Sequence, residues 1–151
     1  MAVIQLRSSW EYLNLDELQF YGADGRLVAP VAYKMSSTYV LYNGFSFAAS
    51  RCFDGNTNEW LGQYGVTDFG CAPSGSDPNP MLSAWFPCGP SGSALSALSR
   101  VVVWNRRTNP DISGRITRFQ LLLTNSNLKV ERVYNFTEVY EMYSISKFIC
   151  V

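Results

Sequence analysis

Apolar and polar residues along most of this chain follow the two-residue period of strands rather than the 3.6-residue period of helices. Leu13, Leu15, Leu18 and Phe20 form an apolar series with one break in phase. A β-bulge between Leu15 and Leu18 supplies that break. Gly22-Ala23-Asp24-Gly25 is a turn that ends this strand. Thr38–Tyr42, with Val40 and Tyr42, is rich in β-formers. Val101–Trp104 shows no alternation, which predicts a strand covered on both sides or a central strand of a sandwich. Phe119, Leu121 and Leu123 alternate with Gln120, Leu122 and Thr124. Leu128–Tyr134 follows Asn125-Ser126-Asn127, a hairpin turn by composition. Val139–Tyr143 and Ile145–Val151 read as closing strands.

No stretch keeps an apolar face at helical period for three turns, and Leu95–Ser99 supports one short turn at most. Short strands joined by Gly, Pro, Asn and Ser turns predict an all-β antiparallel sandwich or barrel. Residues 65–99 are loop-like, with Gly and Pro recurring throughout, and Met81–Phe86 is the one strand-like piece inside them. Trp85 and Phe86 are expected to anchor this region. Long ordered loops of this kind either form the working rim of a sandwich or cover its surface.

A length of 151 residues fits one domain, residues 1–151, with a sizeable core. Charged residues make up only 16%, below the roughly 25% of ordinary soluble domains. Twelve acids balance 12 bases. Low charge and zero net charge weaken self-repulsion, which favours a subunit covered by partners. They also argue against nucleic acid, whose binders carry a net positive stripe. No apolar run approaches the ~20 residues of a transmembrane segment. The N-terminus lacks the apolar core of a signal peptide, so use inside a cell or within a particle is expected. Asn135-Phe136-Thr137 is a formal glycosylation sequon.

The chain has no His. That excludes a Ser-His-Asp triad and a Cys-His pair. Asp16 and Glu17 are neighbours on a strand and are expected to face opposite sides, so they do not form paired carboxylates. No Gly-rich phosphate loop precedes a helix. A catalytic role is therefore not expected. Cys52, Cys71, Cys88 and Cys150 match no zinc spacing; free thiols and three disulfide pairings all stand.

The positive charge is local. Five of the 12 basic residues lie between Arg100 and Arg118, with Asp111 the one acid among them. Asn105-Arg106-Arg107 follows the apolar run directly. Arg106 and Arg107 suit a carboxylate, a phosphate or sugar hydroxyls of a partner, or they pair with the chain's own acids. Asp54-Gly55-Asn56-Thr57-Asn58-Glu59 gathers hard oxygen ligands on a short loop. Two readings stand there: Ca²⁺, or a turn held by Asx hydrogen bonds with Gly55 at positive φ. Aromatics make up 15%. Tyr134, Tyr140 and Tyr143 recur among Glu131, Glu138 and Glu141, an acidic, Tyr-rich end suited to a basic patch.

Four ordered pieces resemble a discoidin-type domain, also called the coagulation factor 5/8 C-type or galactose-binding-like domain. They are Asn14–Gly22 with the turn Asp24-Gly25; Ala48–Asn56 with Trp60; Asp77-Pro78-Asn79-Pro80 with Trp85; and Ser99–Arg107. The nearest variants are Cys-containing domains of algal proteins. The resemblance implies a jelly-roll sandwich that binds glycans, phospholipid headgroups or proteins through loops at one end, without catalysis. It implies ligand contacts at Arg106 and Arg115; with Arg107 and Trp85 these are the candidate ligand or partner contacts. It implies a structural Ca²⁺ held by Asp54 and Asn56, completed by Glu138 or Glu141. It departs from the fucose-binding pattern, since Thr108 stands where an Asp is expected and the His is missing. Two functions are expected from these readings. The first is a structural or protein-interaction subunit of a larger assembly, such as a minor capsid component of an algal virus. The second is a lectin-like carbohydrate-binding module.

Overall fold

The computed structural model describes residues 2–8, 13–57, 70–86, 98–106, 110–124 and 129–146. Its strands are β1 (Ala2–Ser8), β2 (Leu15–Gly22), β3 (Ala32–Met35), β4 (Met81–Phe86), β5 (Leu98–Asn105), β6 (Phe119–Thr124), β7 (Val130–Asn135) and β8 (Met142–Ser146). They form two antiparallel sheets, ordered β3-β4-β1-β6-β7 and β2-β5-β8. Among the described residues the one α-helix is Pro110–Ser113, a single turn. The expectation of an all-β sandwich holds.

The two sheets meet through alternate side chains. Leu6, Leu82, Ala84, Phe86, Phe119 and Leu121 come from the larger sheet. Leu18, Phe20, Leu98, Val101 and Val103 come from the smaller one. The rings of Phe20 and Phe86 lie 4.4 Å apart across the interface. Val102, between two core residues, is also buried, so β5 is covered on both faces as its unbroken apolar run predicted.

The phase break in β2 is a register shift between Leu15 and Glu17 in the pairing with β5. The bulge places Leu18 opposite Val103 and Phe20 opposite Val101. Asp16 and Glu17 are both buried.

Two strand expectations are corrected. Thr38–Tyr42 is a loop rather than a strand: it carries the isolated bridge Val40–Ser46 and backbone bonds of Tyr39 to Phe47 and Ala72, and its turn at Leu41–Gly44 leaves Tyr42 in solvent. The closing pair is one strand within the described residues, β8. Val139 to Glu141 instead turn back beneath Tyr143, whose hydroxyl donates to the Glu138 carbonyl and accepts from the Tyr140 N–H at 2.8 Å. Residues 147–151, Trp60, Cys88, Cys150, the 125–127 turn and much of the Gly/Pro-rich region lie outside the described residues.

Cys52 and Cys71 form a disulfide, which settles one pairing that the sequence left open. It ties the 3-10 turn Ala49–Phe53 to the segment that bridges Leu15. Chain-entropy reasoning for a sequence separation of 19 gives about 3 kcal/mol. Replacing both cysteines with Ala is expected to lower stability by about that amount. Chemical denaturation of the parent and the double variant measures it.

Candidate functional site

β5 ends at Asn105, which is 1% exposed. Its N–H donates to the Glu141 carbonyl at 2.9 Å. Its side-chain amide donates to the carbonyls of Ser113 at 3.0 Å and Tyr140 at 3.1 Å. Asn105 thus ties the strand end to the helical segment and to the β7–β8 connection. The chain leaves this tie as Arg106, half-buried at the rim.

Arg106 is held from within. Its Nη1 donates to Asn14 Oδ1 at 3.1 Å, and its guanidinium lies 5.5 Å from the centre of the Phe47 ring. Phe45 packs edge-on against Phe47 at 5.2 Å, and Arg51 stacks on Phe45 at 4.3 Å. Tyr39 meets Phe47 at 5.4 Å. Backbone bonds from Phe47 to Tyr39, Tyr39 to Ala72 and Ala72 to Phe47 fix these loops to one another. The result is an arginine–aromatic rim, with Tyr42 fully exposed at the loop tip beside it. The sequence reading named Arg106 but missed Asn14, Arg51 and the two rings. Phe45 and Phe47 flank Ser46 at strand spacing, a signal that was available.

The other predicted contacts do not all join this rim. Arg115 is half-buried in the 3-10 turn Gly114–Arg118, the segment that Asn105 holds through Ser113. Arg107 lies outside the described residues. Trp85 sits on β4, opposite Ala32 and Val3, and its carbonyl accepts from the Val31 N–H. It belongs to the larger sheet, whereas Arg106 follows the centre strand of the smaller one.

Asp54-Gly55-Asn56 forms an Asx turn. The Asp54 carboxylate accepts from the Asn56 N–H at 2.9 Å, and Gly55 has φ +84°. Beneath it, Glu17 is 3% exposed and accepts from the Gly55 N–H at 3.0 Å. Burial pushes the Glu17 carboxyl from 4.5 up to about 8. The Gly55 N–H opposes that rise, and the Asp54 carboxylate adds to it. Sequence reasoning missed Glu17 here, because the turn that packs against it comes from residues distant in sequence.

Glu138 and Glu141 lie on the β7–β8 connection. The Glu138 carboxylate accepts from the Tyr140 hydroxyl, and the Glu141 carbonyl accepts from Asn105. Among the described residues, no group of three or more His, Cys, Asp or Glu is placed to hold a metal ion. The donor set at the Asp54 turn fits Ca²⁺ in part. Glu17 Oε2 is a buried oxygen without a hydrogen-bond partner, beside the Asp54 charge. Ca²⁺ takes about six to eight oxygens, so backbone carbonyls would have to supply most of the shell. The turn is already closed by its own hydrogen bonds. Millimolar Ca²⁺ is therefore expected to leave the melting temperature of chelator-treated protein unchanged, as scanning calorimetry would show.

Asp77 clamps a second loop pair. It accepts from the hydroxyls of Ser36 at 2.5 Å and Ser37 at 2.6 Å. Partial desolvation works to raise its pKa, but these bonds and the Asn79 N–H outweigh it and hold the carboxyl below its usual range.

Comparison with protein-family models, with curated proteins and with solved structures finds no match. Among the described residues, no helix is long and apolar enough to cross a membrane.

Proposed function

We propose that this chain is a non-catalytic structural subunit that joins neighbours in a larger assembly. The observation that carries this reading is the placement of exposed apolar side chains at both edges of the five-stranded sheet. At the β3 edge, Val31 and Tyr33 stand in solvent. At the β7 edge, Val130 and Val133 do so, with Val139 and Tyr140 on the connection to β8 and Met142 at the start of β8. Exposed apolar patches of this kind mark interaction surfaces. Unpaired sheet edges invite further association unless they are covered. A module with one binding rim has no use for two such edges, whereas a subunit between neighbours does. Disulfides belong to oxidising surroundings, virion surfaces included. The Cys52–Cys71 bond therefore fits a particle component better than a free cytosolic protein. A jelly-roll, galactose-binding-like sandwich in the shell of an algal virus is the specific form of this proposal.

The test is the native fraction in which the protein is found. Co-sedimentation with a particle is expected. Val31→Asp together with Val133→Asp should abolish it, with the domain still folded, because exposed substitutions move stability by under about 0.5 kcal/mol. Protein recovered only free and monomeric, and retained on a sugar column, overturns the reading. The second reading, a lectin-like module, draws on Arg106 and Phe47. A guanidinium beside an aromatic ring at a loop rim suits a hydroxyl-rich ligand.

A further inference from the structure

Between β7 and β8, where the edge strands of the two sheets part, lies an open cavity of about 270 Å³. Its walls include Tyr134, Phe136, Tyr140, Tyr143 and Ile145, with Glu138 at the edge. Tyr143 meets Phe136 at 4.7 Å and 79°, and Tyr140 at 5.6 Å and 69°. Rings set at such angles build walls rather than a closed stack. They are also fixed in place. Tyr140 donates to the Glu138 carboxylate, Tyr143 donates to the Glu138 carbonyl, and the Tyr140 N–H donates to the Tyr143 hydroxyl. The bond to Glu138 raises the Tyr140 pKa, and burial raises that of Tyr143, so both phenols stay protonated.

The charge in this cavity is one-sided. No Lys or Arg is among its lining residues. Glu138 is exposed, and no ion pair to it occurs among the described residues. Ring faces are the negative part of the aromatic quadrupole and attract cations, most often guanidinium. A guanidinium also forks onto a carboxylate while its plane stacks on a ring. The volume lies just under the roughly 300–1,000 Å³ of sites that enclose a free ligand. An open cavity of this size envelops one head group and leaves its stem outside. Val133, Val139 and Met142 are exposed nearby and would meet the surface that bears the stem.

We propose that this cavity is a cation-accepting site that takes the guanidinium of an arginine side chain presented by a partner protein. The presence of a partner rests on the assembly reading; the chemistry of the cavity does not.

The full chain, isotope-labelled, would be titrated with N-acetyl-arginine methylamide and followed by NMR. Binding is expected at a Kd on the order of 1–10 mM, with shifts centred on the rings of Tyr134, Phe136, Tyr140 and Tyr143. The uncharged citrulline analogue should produce none of these shifts. Glu138→Gln, an exposed change that leaves the domain folded, should weaken binding about tenfold. Tyr140→Phe, which frees the carboxylate but keeps the ring, should retain binding. Equal shifts from the citrulline analogue, or unchanged binding by Glu138→Gln, overturn the proposal. So does an absence of ring shifts with the arginine probe. None of these outcomes bears on co-sedimentation, so this site and the assembly reading fail separately.

Discussion

Gly70→Ala is expected to prevent the chain from reaching its folded state. A Cβ on Gly70 would lie 1.6 Å from the Leu15 carbonyl oxygen, 2.6 Å from its carbon and 2.7 Å from the Asp16 Cα. These are backbone atoms of the bulge and cannot rotate away. Retreat is blocked as well. Cys71, the next residue, exchanges both backbone hydrogen bonds with Leu15 at 3.0 and 3.3 Å, and its side chain is joined to Cys52. Relieving the clash would pull the disulfide segment off β2. Losses beyond about 4–5 kcal/mol are exceptional among point changes, and backbone collision in a buried site is a mechanism that reaches them. Gly44→Ala is the control. Gly44 has φ +84° but nothing within 4 Å of an added Cβ, so its cost is limited to about 1–2 kcal/mol of backbone strain. Thermal melts by circular dichroism separate the two. A Gly70→Ala protein that melts like the parent would show that the close approach does not exist.

The second large effect is on the pH dependence of stability. In the unfolded chain Glu17 titrates near 4.5, and in the folded chain near 8. The folded state therefore holds the proton more tightly across that interval. Stability contributed by the protonated form is fully present below 4.5 and is lost as pH rises through about 8. Glu17→Gln retains an oxygen to accept from Gly55 and carries no charge. It is expected to match the parent at the acid end. Above pH 8 it should exceed the parent by on the order of 3–5 kcal/mol. Denaturation curves across this range test the sign. A difference between the two proteins that does not grow with pH would mean that Glu17 is not buried as a charge.

Most of the fold was legible because its signals are local. The bulge in β2 was visible as a lost beat in Leu15, Leu18 and Phe20. The double coverage of β5 was visible in three consecutive valines. β1 and β3 were missed. β1 lies at the centre of the larger sheet, between β4 and β6. Ile4-Gln5-Leu6-Arg7 does alternate, but so short a stretch does not reveal its central place, which comes from pairing with partners far along the chain. β3 is short and largely exposed, so nothing marks it before β4 is in place.

The site was legible only in its charges. Arg106 stood out because it ends an apolar run, but the groups that hold it come from Asn14 and Phe47, distant in sequence. The Asp54 turn was read with its Asx bond and its positive-φ glycine as one of two alternatives. The buried acid beneath it was not, because the turn packed against Glu17 comes from residues distant in sequence. Tyr134, Tyr140 and Tyr143 were noticed as a recurrence beside acids. That Tyr140 and Tyr143 wall one cavity with Glu138 follows from the turn between β7 and β8, which composition does not reveal.

The Cys52–Cys71 bond also bears on what happens when the chain is cut. Residues 53–70 are bracketed by a covalent link. A protease that nicks the backbone anywhere in that interval leaves one covalent molecule, heavier only by the water of hydrolysis, with β1 to β3 on one fragment and β4 to β8 on the other. Only a reductant would part the two pieces. Damage in this interval would go unseen on a non-reducing gel, and a subunit nicked there would stay in one covalent piece.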